Sequence, residues 1–286
     1  MLLRVWRSRF IIFIVGCIAL LIAISFSVRV LAENNSTITQ HPVIAEAPDL
    51  GRHFREFKLS GSILIYDLNK NRTYEHNPQR NATAMIPAST FKIFNAMVAL
   101  ETGIMPNDVA VLTWDGIRRD PDVWNHDTNL RQAFKDSTVW FYQVLARRAG
   151  HERMQQFIDK VGYGNRQIGT AEDIDRFWLQ GPLKITPKAQ IEFLQRLYRN
   201  KLPFSQRTMD LVKDIMVREQ TPDYTLRGKT GLLLNGTKPE LGWFVGYLEK
   251  NKNVYFFATT IDMNKATDAP ARIEITRRSL KDLGLL

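Results

Sequence analysis

A chain of 286 residues that is 44% hydrophobic is long enough to bury a large core, as one large domain or two modest ones. Its net charge of +10 raises the question of nucleic acid, but Lys and Arg are scattered among acids without a basic block of five or more. A modest field favouring anionic small molecules fits that pattern better, and no nucleic-acid partner is expected.

Arg4, Arg7 and Arg9 precede an uncharged apolar run from Phe10 to Val28, and Val30-Leu31-Ala32 supplies a small-residue cleavage pattern. Residues 1–32 therefore read as an export signal, which places the mature chain in the periplasm. The alternative is an uncleaved anchor in the inner membrane, because the run of 19 residues is long enough to span a bilayer. The stretch Ile14–Cys17 resembles a lipidation signal, yet the apolar run continues past Cys17, where a lipidation cysteine should end it. Cys17 is the one cysteine, so cleavage after Ala32 leaves no disulfide, no cysteine nucleophile and no cysteine-zinc site. Cleavage also removes four arginines and no acid, taking the net charge to +6. Residues 33–50 are polar, with two prolines and no periodicity, and are expected to form a flexible spacer ahead of a domain over 51–286.

Within that domain, Ser60–Asn77 carries a β-branched apolar run, a polar turn and a second short run, the pattern of a hairpin. From residue 89 the period changes: Phe91, Phe94, Met97, Val98 and Leu100 form a helical stripe, with Gly103 as its stop. Met154, Phe157, Ile158 and Val161 mark another helix ended by Gly162, and Thr186-Pro187 and Ser205 cap two more. Leu241–Asp262 reads as two aromatic-rich strands around a polar turn, and a helix beginning near Pro270 closes the chain. Strands at both ends with helices between imply an α+β fold, an antiparallel sheet assembled from distant segments with a mostly helical insertion beside it.

Ser89 and Lys92 stand one helical turn apart at the start of an apolar helix. A helix N-terminus favours developing negative charge on the hydroxyl, and burial lowers the lysine pKa, so that a neutral amine there can act as a base or be modified. Ser-x-x-Lys alone is a weak motif that chance produces about once in a chain of this size. Its company is more informative: Ser137-Thr138-Val139, Tyr163-Gly164-Asn165, Phe177–Leu183 ("FWLQGPL") and Lys229-Thr230-Gly231 follow in order. Together these resemble the serine β-lactamase and penicillin-binding superfamily and, within it, the class D β-lactamases or oxacillinases.

The resemblance implies a three-layer αβα fold and a β-lactam hydrolase in which Ser89 is acylated by the lactam carbonyl. It implies that Lys92 is N-carboxylated by carbon dioxide and serves as general base, with no other cofactor and no metal, and that Trp178 donates its indole N–H to the carbamate. Phe91, Val139, Trp178 and Leu179 would shield that group. Ser137 would pass a proton to the departing lactam nitrogen, and the backbone N–H groups of Ser89 and Leu232 would form an oxyanion hole. Lys229, Thr230, Gly231 and Arg272 would receive the substrate carboxylate, Trp124 would flank the pocket, and Tyr163 and Asn165 would form part of its wall, as would Leu232–Glu240. Relatives of this kind occur as monomers or homodimers.

Three alternatives are weighed on particular residues. A class A enzyme should show Ser-Asp-Asn where Ser137-Thr138-Val139 stands. Penicillin-binding proteins and membrane-associated β-lactam sensors, acylated without efficient turnover, typically place asparagine at the position of Val139. For a metallohydrolase, His41, His53, His76, His126 and His151 show no HxH or HExxH spacing.

Overall fold

The computed structural model describes residues 48–286. The expected export signal or anchor, and all but the last three residues of the expected spacer, lie outside the described residues. Of those three, Leu50 is already buried and introduces helix α1 (Gly51–Phe57). The hairpin follows as β1 (Gly61–Asp67) and β2 (Arg72–His76), then the single turn α2 (Pro78–Asn81). A 3₁₀ turn at Ala88–Phe91 runs into α3 (Lys92–Glu101). The short ribbon β3 (Val111–Leu112) and β4 (Thr128–Asn129) leads to α4 (Leu130–Lys135), α5 (Val139–Ala149), α6 (His151–Val161), α7 (Pro187–Tyr198) and α8 (Gln206–Ile215). The chain then returns through β5 (Val217–Gln220), β6 (Tyr224–Asn235), β7 (Lys238–Lys250) and β8 (Asn253–Asp262), and closes on α9 (Ala271–Asp282).

The main sheet is antiparallel in the order β2-β1-β8-β7-β6-β5, so the first hairpin is sealed to the last strand, with Ile63 opposite Thr259. Side chains alternate between two cores. Ile63, Ile65, Phe244, Leu248 and Phe257 pack with α1 and α9, whereas Leu64, Val245, Tyr247 and Phe256 join the helical layer. Because both of their faces are covered, the central strands β1, β7 and β8 are buried along most of their length, whereas the edge strands β2 and β5 are polar and largely exposed. A hydroxyl pair, Thr259 Oγ1 and Thr276 Oγ1 at 2.7 Å, satisfies buried polar atoms between β8 and α9. The caps expected at Thr186 and Ser205 form, their side chains accepting the N–H groups of Ala189 and Thr208.

Helix α3 is the central pillar: every residue from Lys92 to Leu100 is buried, which is what an apolar circumference dictates. Phe94 is fully buried, with ring centroids of Phe91 and Tyr163 at 5.3 and 5.1 Å. Two irregularities mark the β5 edge of the sheet. In β5 the register slips between Val217, opposite Arg227, and Glu219, opposite Leu226, leaving Arg218 as the extra residue of a β-bulge. And β5 covers only Thr225–Arg227, so from Lys229 onward β6 is paired with β7 alone. We expect Phe94→Ala to lower the free energy of unfolding by about 3–5 kcal/mol in urea titrations.

Candidate active site

The helix expected to start at residue 89 begins instead as a 3₁₀ turn, which changes the geometry usefully. Side chains at i and i+3 eclipse in such a turn. Lys92 Nζ consequently lies 2.6 Å from Ser89 Oγ. Ala88 holds the left-handed conformation (φ 48°) immediately before Ser89, a strained backbone that aims the hydroxyl.

Ser137 comes from the junction of α4 and α5, also at positive φ (58°). Its Oγ accepts from Lys92 Nζ at 3.2 Å and from Lys229 Nζ at 2.9 Å, so one hydroxyl bridges two lysines. The junction is braced by two indoles that donate to main-chain carbonyls: Trp124 Nε1 to Asp136 O at 3.0 Å, and Trp140 Nε1 to Trp124 O at 2.7 Å. Lys229 is fully buried on β6, donates to Thr230 O at 3.0 Å, and stands 5.5 Å from the centroid of the Phe134 ring.

Burial governs the electrostatics. Lys92 is 1% exposed, and desolvation pulls its pKa down to about 7. Lys229 falls well below the ordinary lysine range, first through desolvation and then through repulsion from Lys92, Arg218 and Arg272. Arg272, half-buried, is brought to about 10 by desolvation and by Arg218, and its Nε has no hydrogen-bond partner. Among the described residues none of these four cations pairs with a carboxylate. The cluster is complementary to an anion that the described residues do not supply.

Trp178 is fully buried and stacked on Phe91 at 5.4 Å, one residue before Lys92; among the described residues its buried Nε1 donor finds no acceptor. Val139 and Leu179 are partly buried near these groups in sequence, and Leu179 packs on the same core. Gly231 is needed for close approach: a Cβ there would lie 3.1 Å from Pro87 O and 3.1 Å from Thr90 Cγ2, so β6 abuts the turn that carries Ser89. Thr230 is partly buried, and Leu232 is 37% exposed at the outer end of this stretch.

Two expected wall residues lie elsewhere. Tyr163 is 1% exposed in an aromatic cluster with Phe91, Phe94 and Phe193, where burial pushes its phenol well above the usual range. It packs the core instead of lining the site. Asn165 ties its loop together, donating to Pro182 O at 2.8 Å and accepting from Lys184 N–H at 3.0 Å. Conversely, sequence reading missed Trp140, Arg218 and Tyr142, whose ring centroid is 5.5 Å from Lys92 Nζ. Trp140 and Tyr142 follow Val139 at helical spacing, a signal that was available; nothing in a motif points to Arg218.

An acylable hydroxyl beside a neutral amine, with a relay hydroxyl and a cationic end, is the equipment of acyl transfer to an anionic substrate. Comparison with known proteins agrees. Residues 60–281 match the penicillin binding protein transpeptidase domain. The crystal structure of a class D β-lactamase, YbXI from Nostoc, superimposes with a TM-score of 0.81 at 67% identity, covering 83% of this chain and 99% of that one. The chain belongs to the class D β-lactamases. Beta-lactamase OXA-48 from Klebsiella pneumoniae is 40% identical over 80% of this chain and 85% of its own length. The regulatory protein BlaR1 from Bacillus licheniformis is 32% identical over 91% of this chain, which spans 43% of that larger protein.

The lowered lysine has a consequence for stability. Between about 7, its folded value, and the ordinary 10.5, the unfolded chain binds more protons at Lys92 than the native one does. Stability relative to Lys92→Met should therefore rise with pH across that window and level off below it. Urea unfolding of both proteins in carbon-dioxide-free buffer at pH 6, 8 and 9.5 measures the difference; a flat difference would contradict the desolvated amine.

Proposed function

We propose that this protein hydrolyses β-lactam antibiotics through an acyl-serine intermediate, with Lys92 N-carboxylated. The observation that carries the reading is the continuous chain of contacts from Ser89 through Lys92 and Ser137 to Lys229, next to a cationic cluster lacking a counter-anion. An amine brought to about 7 is substantially neutral at physiological pH, and only the neutral form captures carbon dioxide. Turning a cation at residue 92 into an anion also removes the nearest lysine repulsion acting on Lys229. Trp178 Nε1, the orphaned donor, is the group that would hold the new oxygens, and Phe91, Val139 and Leu179 would keep water away. Bound there as a carbamate, carbon dioxide would supply an oxygen base for both half-reactions.

The protein's own groups then divide the work. Ser89 Oγ attacks the lactam carbonyl carbon and gives up its proton to the base at residue 92. Backbone N–H groups of Ser89 and Leu232 receive the oxyanion. As the carbon–nitrogen bond breaks, Ser137 delivers a proton to the leaving nitrogen, replenished from the lysine side of its hydrogen bonds. Lys229, Thr230 and Arg272 hold the substrate carboxylate, Gly231 leaves room for it, and Trp124 walls the mouth. Water finally attacks the acyl ester, its proton returning through residue 92, and the ring-opened acid leaves Ser89 free. Export by residues 1–32, with or without retention at the inner membrane, and a monomeric or homodimeric state belong to the same proposal.

Purified mature protein should turn over nitrocefin catalytically, faster with added bicarbonate, and Ser89→Ala and Lys92→Ala should each lower kcat/KM by about 10³ or more. Stoichiometric acylation without turnover would favour the sensor reading, to which the likeness to BlaR1 draws attention. Trp178→Ala should give biphasic progress curves that bicarbonate straightens. A ¹³C carbamate resonance that disappears in Lys92→Ala tests the modification apart from the rate.

A further inference from the structure

The cationic end of the site contains one charge that neither the family motifs nor the proposed mechanism uses. Arg218 is the extra residue of the β5 bulge, and bulges beside active sites redirect a side chain that the regular pleat would point elsewhere. Its guanidinium carbon stands 5.9 Å from the centroid of the Phe244 ring. Arg272, for its part, packs over Gly242, where a Cβ would meet Arg272 Cδ at 3.3 Å. Gly242 and Phe244 are two apart on β7 and therefore face the same side, about 7 Å from one another. The two guanidiniums are thus carried to adjacent positions on one face of the sheet, next to the unpaired edge of β6.

Arg218 is exposed and, among the described residues, makes no ion pair or side-chain hydrogen bond, although acids are close in sequence and space. Those acids are committed elsewhere: Asp214 to Arg131, Glu219 to Tyr224 and Arg277, Glu249 to Arg227. The contact with Phe244 is near the outer limit of about 6 Å for a cation–π interaction and holds the arginine weakly. A cavity of about 560 Å³, lined among others by Arg218, Gln132, Phe134, Lys135, Asp214 and Gly228, lies one residue from Lys229 and leaves Arg218 open to a solute.

Building on the β-lactam reading above, we infer that Arg218 is a second carboxylate-binding guanidinium, which the bulge presents beside Arg272 to the anionic group on the leaving-nitrogen side of the substrate. A planar fork suits a carboxylate, and two forks can each take one oxygen where a single arginine would take both.

The test uses the mature protein carrying Ser89→Ala, which cannot be acylated, and measures Kd by calorimetry for benzylpenicillin and for its neutral methyl ester. Adding Arg218→Gln should reduce the preference for acid over ester by about tenfold, and Arg218→Lys, which keeps the charge and loses the fork, by about threefold. A preference within twofold of the parent in both variants overturns the assignment, and a lowered melting temperature alongside it would leave Arg218 as a prop for Phe244. Nitrocefin turnover by the wild-type chain is read in parallel. Turnover with an unchanged acid preference removes only the role of Arg218, whereas its absence removes the β-lactam reading beneath it.

Discussion

Taking an amine out of water is the constraint around which this molecule is organised. Lys92 begins a helix whose next eight residues are all buried, and among the described residues no acid pairs with it. Two escapes are open to such a lysine: to lose its proton, or to gain a negative group from outside. Either makes the neighbouring Ser89 easier to deprotonate. The second core, between the sheet and α1 with α9, holds the strands that carry Lys229 in register with the turn that carries Ser89, so that the costly charge and the useful hydroxyl are fixed by separate packing surfaces.

The positive cluster follows from the same constraint. Lys92, Lys229, Arg218 and Arg272 arrive from four separate elements; desolvation lowers the proton affinity of the two buried lysines and so eases their share of the mutual repulsion, while the exposed Arg218 is screened by solvent. An anionic ligand relieves all four at once. Anion binding at this end is therefore coupled to the protonation of Lys92 through Ser137, which touches both lysines. The two events share one electrostatic circuit.

Much of this was readable from the chain. The stripe after Ser89, the caps at Thr186 and Ser205, and the paired aromatic strands near the C-terminus announced their elements because each obeys a local rule of period or capping. The motifs named Ser89, Lys92, Ser137 and Lys229, and the fold brings those four together. What escaped was set by tertiary context. The tight 3₁₀ start of α3 lies against β6 at Gly231, and a lone sequence carries no sign of which turn that strand abuts. Tyr163 belongs to a motif beside the site, yet its ring lies inward because Phe91, Phe94 and Phe193 converge there from other helices. Arg218 looked like any surface arginine because a register slip, invisible in composition, decides where it points.

The left-handed backbone at Ala88 and Ser137 has an evolutionary side. Glycine at either position would ease the conformation and, where the native geometry persists, cost the folded protein little. The same freedom would let the turn before Ser89 sample many orientations, and at residue 137 it would come with loss of the hydroxyl that bridges the lysines. A lineage that relaxed these two residues would trade aim for comfort, so robustness in this scaffold has to be found in the helical layer and the far core, away from the hydroxyls.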